Sequence, residues 1–116
     1  MKKIILSIVG VLAVLWVALM LSGPVMANPR SCQQIHQAWM SYKNNSSNFD
    51  AGYYAGIIGG FADLLDLMGR INFPPGGTHG AYMRVVGNWL ERHPEKWHLD
   101  RMHCIWDALE EAYGLK

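Results

Sequence analysis

Alternating apolar and polar residues, the mark of a half-buried strand, occur nowhere in this chain, which excludes a sheet-based core. A basic excess is missing too. Ten Lys and Arg stand against nine Asp and Glu. Lys2 and Lys3 belong to a leading segment, so eight face nine beyond it, a net of −1 with histidine neutral. No basic patch invites nucleic acid. No phosphate-cradling loop and no cofactor fingerprint is present, so no cofactor is expected. Histidines at 93, 98 and 103 do not make a metal site. A spacing of five turns successive ones about 140° apart on a helix, so they do not converge. Glu110 and Glu111 are adjacent and read as a solvated helix face rather than a catalytic pair. Cysteine is scarce, with only Cys32 and Cys104. His103 beside Cys104 is no nucleophile pair, because adjacent helical residues point apart.

What is present begins with an export signal. Lys2 and Lys3 form a positive start, and Ile4 to Leu21 is apolar apart from Ser7. Ser22-Gly23-Pro24 then breaks the helix, and Val25-Met26-Ala27 offers the small residues a signal peptidase needs. The expectation is a signal peptide over 1–27, with cleavage after Ala27. The apolar run is also long enough to span a bilayer, so the alternative is an uncleaved anchor, the chain's one membrane contact. Either way the lysines stay inside and residues 28–116 lie outside. In that oxidising compartment Cys32 and Cys104 are expected to pair, the alternative being two buried thiols.

Residues 28–116 read as one all-α domain, a compact bundle of about four short helices. The first runs from about Ser31, a natural N-cap, to Lys43, with Cys32, Ile35, Trp39 and Tyr42 on one face. The second runs from about Phe49 to Met68, with a bulky stripe of Tyr54, Ile57, Ile58, Phe61, Leu64, Leu65 and Met68. Its other side carries Gly52, Gly56, Gly59 and Gly60, with Tyr53 beside them. Interior glycines cost up to about 1 kcal/mol each. That face therefore suggests close approach by another helix, either from this chain or from a second copy in a homodimer. A locally irregular helix is the plainer explanation. The loop Asn72 to Gly77 ends this helix, and Thr78 caps a third over His79–Arg92, with Tyr82, Val85, Val86, Trp89 and Leu90 inward. Arg84, Asn88 and Glu91 face water. The fourth spans about Leu99 to Tyr113, its stripe being Met102, Ile105, Trp106, Leu109 and Tyr113. Cys104 falls on its flank with Arg101 and Ala108, so a disulfide requires the first helix to pack there.

Several segments together carry a resemblance. They are Gly52-Tyr53-Tyr54-Ala55-Gly56-Ile57-Ile58-Gly59 and Phe73-Pro74-Pro75-Gly76-Gly77-Thr78. Val85-Val86, Trp89-Leu90, Pro94 and His98 follow, and Ala108-Leu109-Glu110-Glu111-Ala112-Tyr113 closes the pattern. In order and spacing, over about 65 residues, these resemble the Rap/Tai family of immunity proteins. The resemblance implies a small, helical, periplasmic protein, usually a homodimer. Such proteins bind and block a peptidoglycan amidase that type VI secretion delivers from a neighbouring cell. Cysteines of the family's pattern fall where this chain has Phe73 and Gly114, so the disulfide arrangement is not carried over.

An inhibitor needs a rigid surface with anchors rather than catalytic groups, so no enzyme activity is expected. Two connections suit that role. Phe73, Pro74 and Pro75 form a stiff loop. Arg92, His93, Lys96, Trp97 and His98 form a second, cationic and aromatic. The plainer reading is that Trp97 covers the end of the bundle and Phe73 tucks into the core. Two other functions compete. One is a periplasmic acid-stress chaperone of the Hde type, similar in size and helicity, whose five histidines would answer to pH. The other is a subunit held at the membrane by an uncleaved first segment.

Overall fold

The computed structural model describes residues 2–21 and 30–116. Cleavage after Ala27 therefore falls outside the described residues. The first helix, α1, is Lys2–Leu21. Its described side chains, from 7 to 17, are all exposed. Among the described residues no helix is long and apolar enough to cross a membrane. The folded domain consists of α2 (Cys32–Lys43), α3 (Phe49–Leu67), α4 (His79–Arg92), a short 3-10 turn (Pro94–Lys96) and α5 (Arg101–Tyr113). Among the described residues the fold is all-helical. Only two isolated backbone bridges interrupt it, Ser31 to Asp100 and Ile71 to Leu115.

Each domain helix starts on a residue whose side chain accepts an otherwise orphaned backbone N–H. Ser31 takes that of Gln34, Asn48 that of Ala51, Thr78 that of Ala81 and Asp100 that of Met102. Asp100 is thus a cap rather than a first-turn residue, and α5 begins at Arg101 instead of Leu99. At the other end Gly69, at φ +63°, stops α3. The amide of Gly69 donates to the Asp66 carbonyl at 3.0 Å and that of Arg70 to Leu65 at 3.1 Å. A left-handed glycine with these bonds is a complete helix terminus, so the helix ends before the proline loop is reached.

The core gathers Ile35 and Trp39 from α2, Tyr54, Ile58 and Leu65 from α3, Val86 and Leu90 from α4, and Ile105 and Leu109 from α5. Cys32 and Cys104 are fully buried and bonded, their Cα atoms 6.1 Å apart. The first domain helix does pack along the flank of α5 that carries Cys104. Tyr54 donates its hydroxyl to the Met83 carbonyl at 2.5 Å. Burial pushes its phenol far above the ordinary tyrosine range.

Two expected faces are corrected. On α3 the buried line is Tyr54, Ile58, Ala62 and Leu65, while Leu64 and Met68 are exposed. The helix is apolar almost all round, so periodicity alone could not centre its stripe. Gly59 leaves the glycine face, for it is buried and the His79 ring lies where its side chain would be. On α5 the buried residues are Cys104, Ile105, Ala108 and Leu109, whereas Met102 and Trp106 are only partly covered. The disulfide rotates α5 so that Cys104 sits inside the seam.

Candidate functional site

The two loops singled out in the sequence are not brought together. They flank α4, whose 14 residues put them about 20 Å apart at 1.5 Å per residue. They differ in what they display.

The loop before α4 closes with a turn in which the Gly77 amide donates to the Pro74 carbonyl at 3.1 Å. Phe73 is half-buried, its ring 4.8 Å from Tyr82 and 5.6 Å from Tyr113. It is a packing residue that fastens the loop to the bundle. Pro74 and Pro75 remain exposed.

The loop after α4 is fastened from several sides. Trp97 is half-buried, stacks on His36 with centroids 4.2 Å apart, and donates its indole N–H to the Leu90 carbonyl at 2.9 Å. Cys32 and Gln33 of α2 donate their amides to the carbonyls of Leu99 and Trp97, at 2.8 and 2.9 Å. The Arg101 amide donates to the Arg30 carbonyl at 2.7 Å. The disulfide ties the same end. His93 turns inward, tilted against Trp89 at 4.4 Å and bonded to Glu95 at 2.9 Å. The bond from His93 holds the Glu95 carboxyl below its ordinary value. What this rigid loop presents to solvent is Arg92, Pro94, Glu95, Lys96 and His98. Each interior side chain is locked by packing, so ordering the loop for a partner costs little.

Beside Arg92 a groove of about 630 Å³ runs between α4 and α5. Its floor is Val85, Ala108 and Ala112, and its rim Asn88, Glu91, Arg92 and Glu111. Sequence reasoning took Asn88, Glu91 and Glu111 as simple solvent-facing residues. Two rim carboxylates are in fact positioned by buried tryptophans. Trp39 donates to Glu91 at 3.0 Å and Trp89 to Glu111 at 2.8 Å. Lys43 reaches Glu91 at 2.9 Å. The hydrogen bonds from Lys43 and Trp39 hold the Glu91 carboxyl below its ordinary value. Trp106 holds Glu110 at 2.6 Å. Only that last pair, four residues apart on one helix, was legible from spacing. Among the described residues no three His, Cys, Asp or Glu side chains converge as a metal-ligand group.

Gly52, Gly56 and Gly60 are exposed on the outer side of α3, and a Cβ added at any of them would meet nothing within 4 Å among the described residues. They do not pack against α2. Tyr53, half-buried beside them, accepts a hydrogen bond from Arg101, whose guanidinium lies 5.9 Å from the ring centroid.

Compared with protein-family models, with curated proteins and with solved structures, the chain finds no match.

Proposed function

We propose that this chain is an exported immunity protein that binds a secreted peptidoglycan amidase in the periplasm and blocks it, acting by stoichiometric binding and not by catalysis. The reading starts from the resemblance in the Gly52–Gly59, Phe73–Thr78 and Ala108–Tyr113 segments and from the leading apolar segment. The observation that carries it furthest is the loop after α4, a fixed backbone that offers Arg92, Glu95, Lys96 and His98 to solvent. Such a surface suits an inhibitor, since affinity is not spent on ordering it.

The test is inhibition of candidate type VI amidases by the purified protein at equal molar ratio. One cognate enzyme is expected to lose its activity, and Lys96→Ala with His98→Ala to weaken binding by at least tenfold, the loss of about 1.4 kcal/mol. Melting should be unchanged, because both side chains are exposed. Tight inhibition that survives both substitutions would move the contact to Pro74 and Pro75. No inhibition across the amidase panel would sink the reading.

The acid-chaperone alternative requires the core to open when carboxylates are protonated. Here Ser31 is the only buried polar residue among those described. The charged contacts are exposed or half-exposed: Lys43 with Glu91 and Arg92 with Glu111, and the hydrogen bonds of His79 with Asp63 and His93 with Glu95. Pairs of this kind contribute little. Burial holds His36 below its ordinary value, and hydrogen bonds do the same for Glu91. A depressed value in the folded state means stability that is complete above the unfolded value and lost as pH falls through the folded one. The window therefore opens below about 6.5 for His36 and about 4.5 for Glu91. Melting temperature should fall by a few degrees on acidification, with helix content and client-holding unchanged at about pH 4. Loss of helix there, together with suppression of client aggregation, would favour the chaperone.

A further inference from the structure

Where α3 ends, apolar side chains are left uncovered at one end of the bundle. Leu64 is 49% exposed, Leu67 86% and Met68 53%. At 100° per residue these three share one arc of about 100°, and Asp63 and Asp66 fall outside it. Asp63 meets His79 instead, at 2.8 Å. Gly69 then turns the chain, and residues 70–72 run antiparallel to 114–116. The Asn72 amide donates to the Gly114 carbonyl at 2.9 Å, and that of Lys116 to Arg70 at 3.2 Å. This pairing sets Leu115, 60% exposed, beside Met68. Trp106 of α5 closes the patch from the other side, half-buried, its N–H donated to Glu110.

The same pairing carries a cost. With Ile71 opposite Leu115, Arg70 stands opposite Lys116. Like charges directly opposite on paired strands repel. Among the described residues neither cation meets a carboxylate in an ion pair. Glu110, the carboxylate at the edge of the patch, is engaged by Trp106. A hollow of about 390 Å³ opens between these two cations and Met68, Trp106 and Leu115. An anion held there turns the repulsion into attraction. A single exposed leucine is ordinary. Four apolar side chains gathered beside two unneutralised cations mark a contact surface.

We propose that this end of the domain seats on an anionic phospholipid surface. Leu64, Leu67, Met68 and Leu115 enter the boundary between headgroups and acyl chains, where apolar area sets the strength of binding. Arg70 and Lys116 stay at the level of the phosphates, their stems lying along the apolar patch. Trp106 sits at the rim, the depth its amphipathic ring prefers. Neither anchor holds alone. Four aliphatic side chains bury little, and each cation near a charged surface adds about fivefold. Together they give reversible binding that salt weakens. A bilayer suits this patch better than a protein does, because its centre has no directional polar group and its edge has paired cations. The seat is independent of the amidase reading.

The test is co-sedimentation of the exported protein with vesicles of phosphatidylglycerol and phosphatidylethanolamine, against vesicles of phosphatidylcholine alone. Wild type is expected to partition about tenfold more strongly onto the anionic vesicles. It should leave them as salt rises from about 0.05 to 0.5 M. Arg70→Gln with Lys116→Gln should weaken partition by more than about tenfold. Leu67→Asp with Leu115→Asp should abolish it. Arg84→Gln, which removes an exposed cation from α4, should change it by less than about twofold. Melting should hardly move, since every altered side chain is exposed. Any share of binding held by α1 is indifferent to all these substitutions. Equal partition onto neutral vesicles overturns the proposal, as does anionic binding that survives both double variants. Absence of binding overturns it too. If Leu67→Asp then disperses a dimer or abolishes amidase inhibition, the occupant of this face is a protein.

Discussion

Replacing Cys32 and Cys104 together by alanine is expected to lower the unfolding free energy by about 4 kcal/mol. The two are 72 residues apart, and closing a loop of that size removes roughly this much freedom from the unfolded chain. For a domain of this size the loss is a large share of a total that runs to about 5–15 kcal/mol. The bridge also acts locally. It joins the first residue of α2 to the first turn of α5, where the Cys32 and Gln33 amides bond to Leu99 and Trp97. Without it, the end of the bundle that carries the loop after α4 is held by those bonds and the Trp97 stack alone. Alanine is preferred to serine because both positions are fully buried, where an unpaired hydroxyl would add its own penalty. Urea unfolding measures the effect. The slope against denaturant should rise as well, because an uncrosslinked unfolded chain exposes more surface. A loss below about 1 kcal/mol would mean that the backbone bonds hold that end unaided. Reductant alone should act slowly on the native protein, since both sulfurs are out of reach until the helices part.

The helices were largely legible because their signals are local. Ser31 and Thr78 stand where a cap is needed, and α4 follows with its apolar residues in strict helical spacing. Asn48 is harder to single out as a cap, because it lies in a polar run, Asn44 to Asn48, where any residue resembles its neighbours. What stayed hidden depends on contacts far apart in sequence. Nothing near Trp39 announces that Glu91 will receive its indole N–H. Nothing near Gly87 announces that Trp39 will lie on it. The face of α5 was mis-centred for a related reason. Periodicity counts Trp106 and Met102 as strongly apolar and cannot weigh the pull of a covalent bond at Cys104.

The candidate loops show the same division. Aromatic and proline content marked Phe73 and Trp97 as candidate anchors for a partner, with packing against the bundle as the plainer reading. Composition could not tell an anchor that points outward from one that points inward, and the structure packs both against the bundle. The polar residues around Trp97, namely Arg92, Glu95, Lys96 and His98, are exposed because the indole is not. Rigidity and display are thus supplied by different residues of the same loop. The glycine face of α3 was legible as a face but not in its extent. Gly59 is closed off by His79, while Phe49, Leu64 and Leu67 join it.

Gly87→Ala is expected to destabilise the domain by about 2–3 kcal/mol, although alanine is the better helix former by about 1 kcal/mol. Gly87 is buried in α4, and a side chain built there overlaps Cδ2 and Cε2 of the Trp39 ring. That ring cannot move aside cheaply. It is 4% exposed, packs against Tyr54 at 5.5 Å, and is fixed through its N–H to Glu91. Shifting it would open the contact between α2 and α4 and release a carboxylate on the groove rim. Trp39→Ala is expected to cost about 3–5 kcal/mol through the cavity it leaves. The decisive measurement is the double variant. With the indole gone, the methyl of Gly87→Ala enters empty space and the propensity term acts alone, so the same substitution should turn stabilising by up to about 1 kcal/mol. That reversal amounts to a coupling of about 3 kcal/mol, at the upper end for residues in direct contact. Equal destabilisation in both backgrounds would mean that alanine fails at Gly87 for a reason of backbone conformation. The close approach of α2 to α4 would then rest on some other pair.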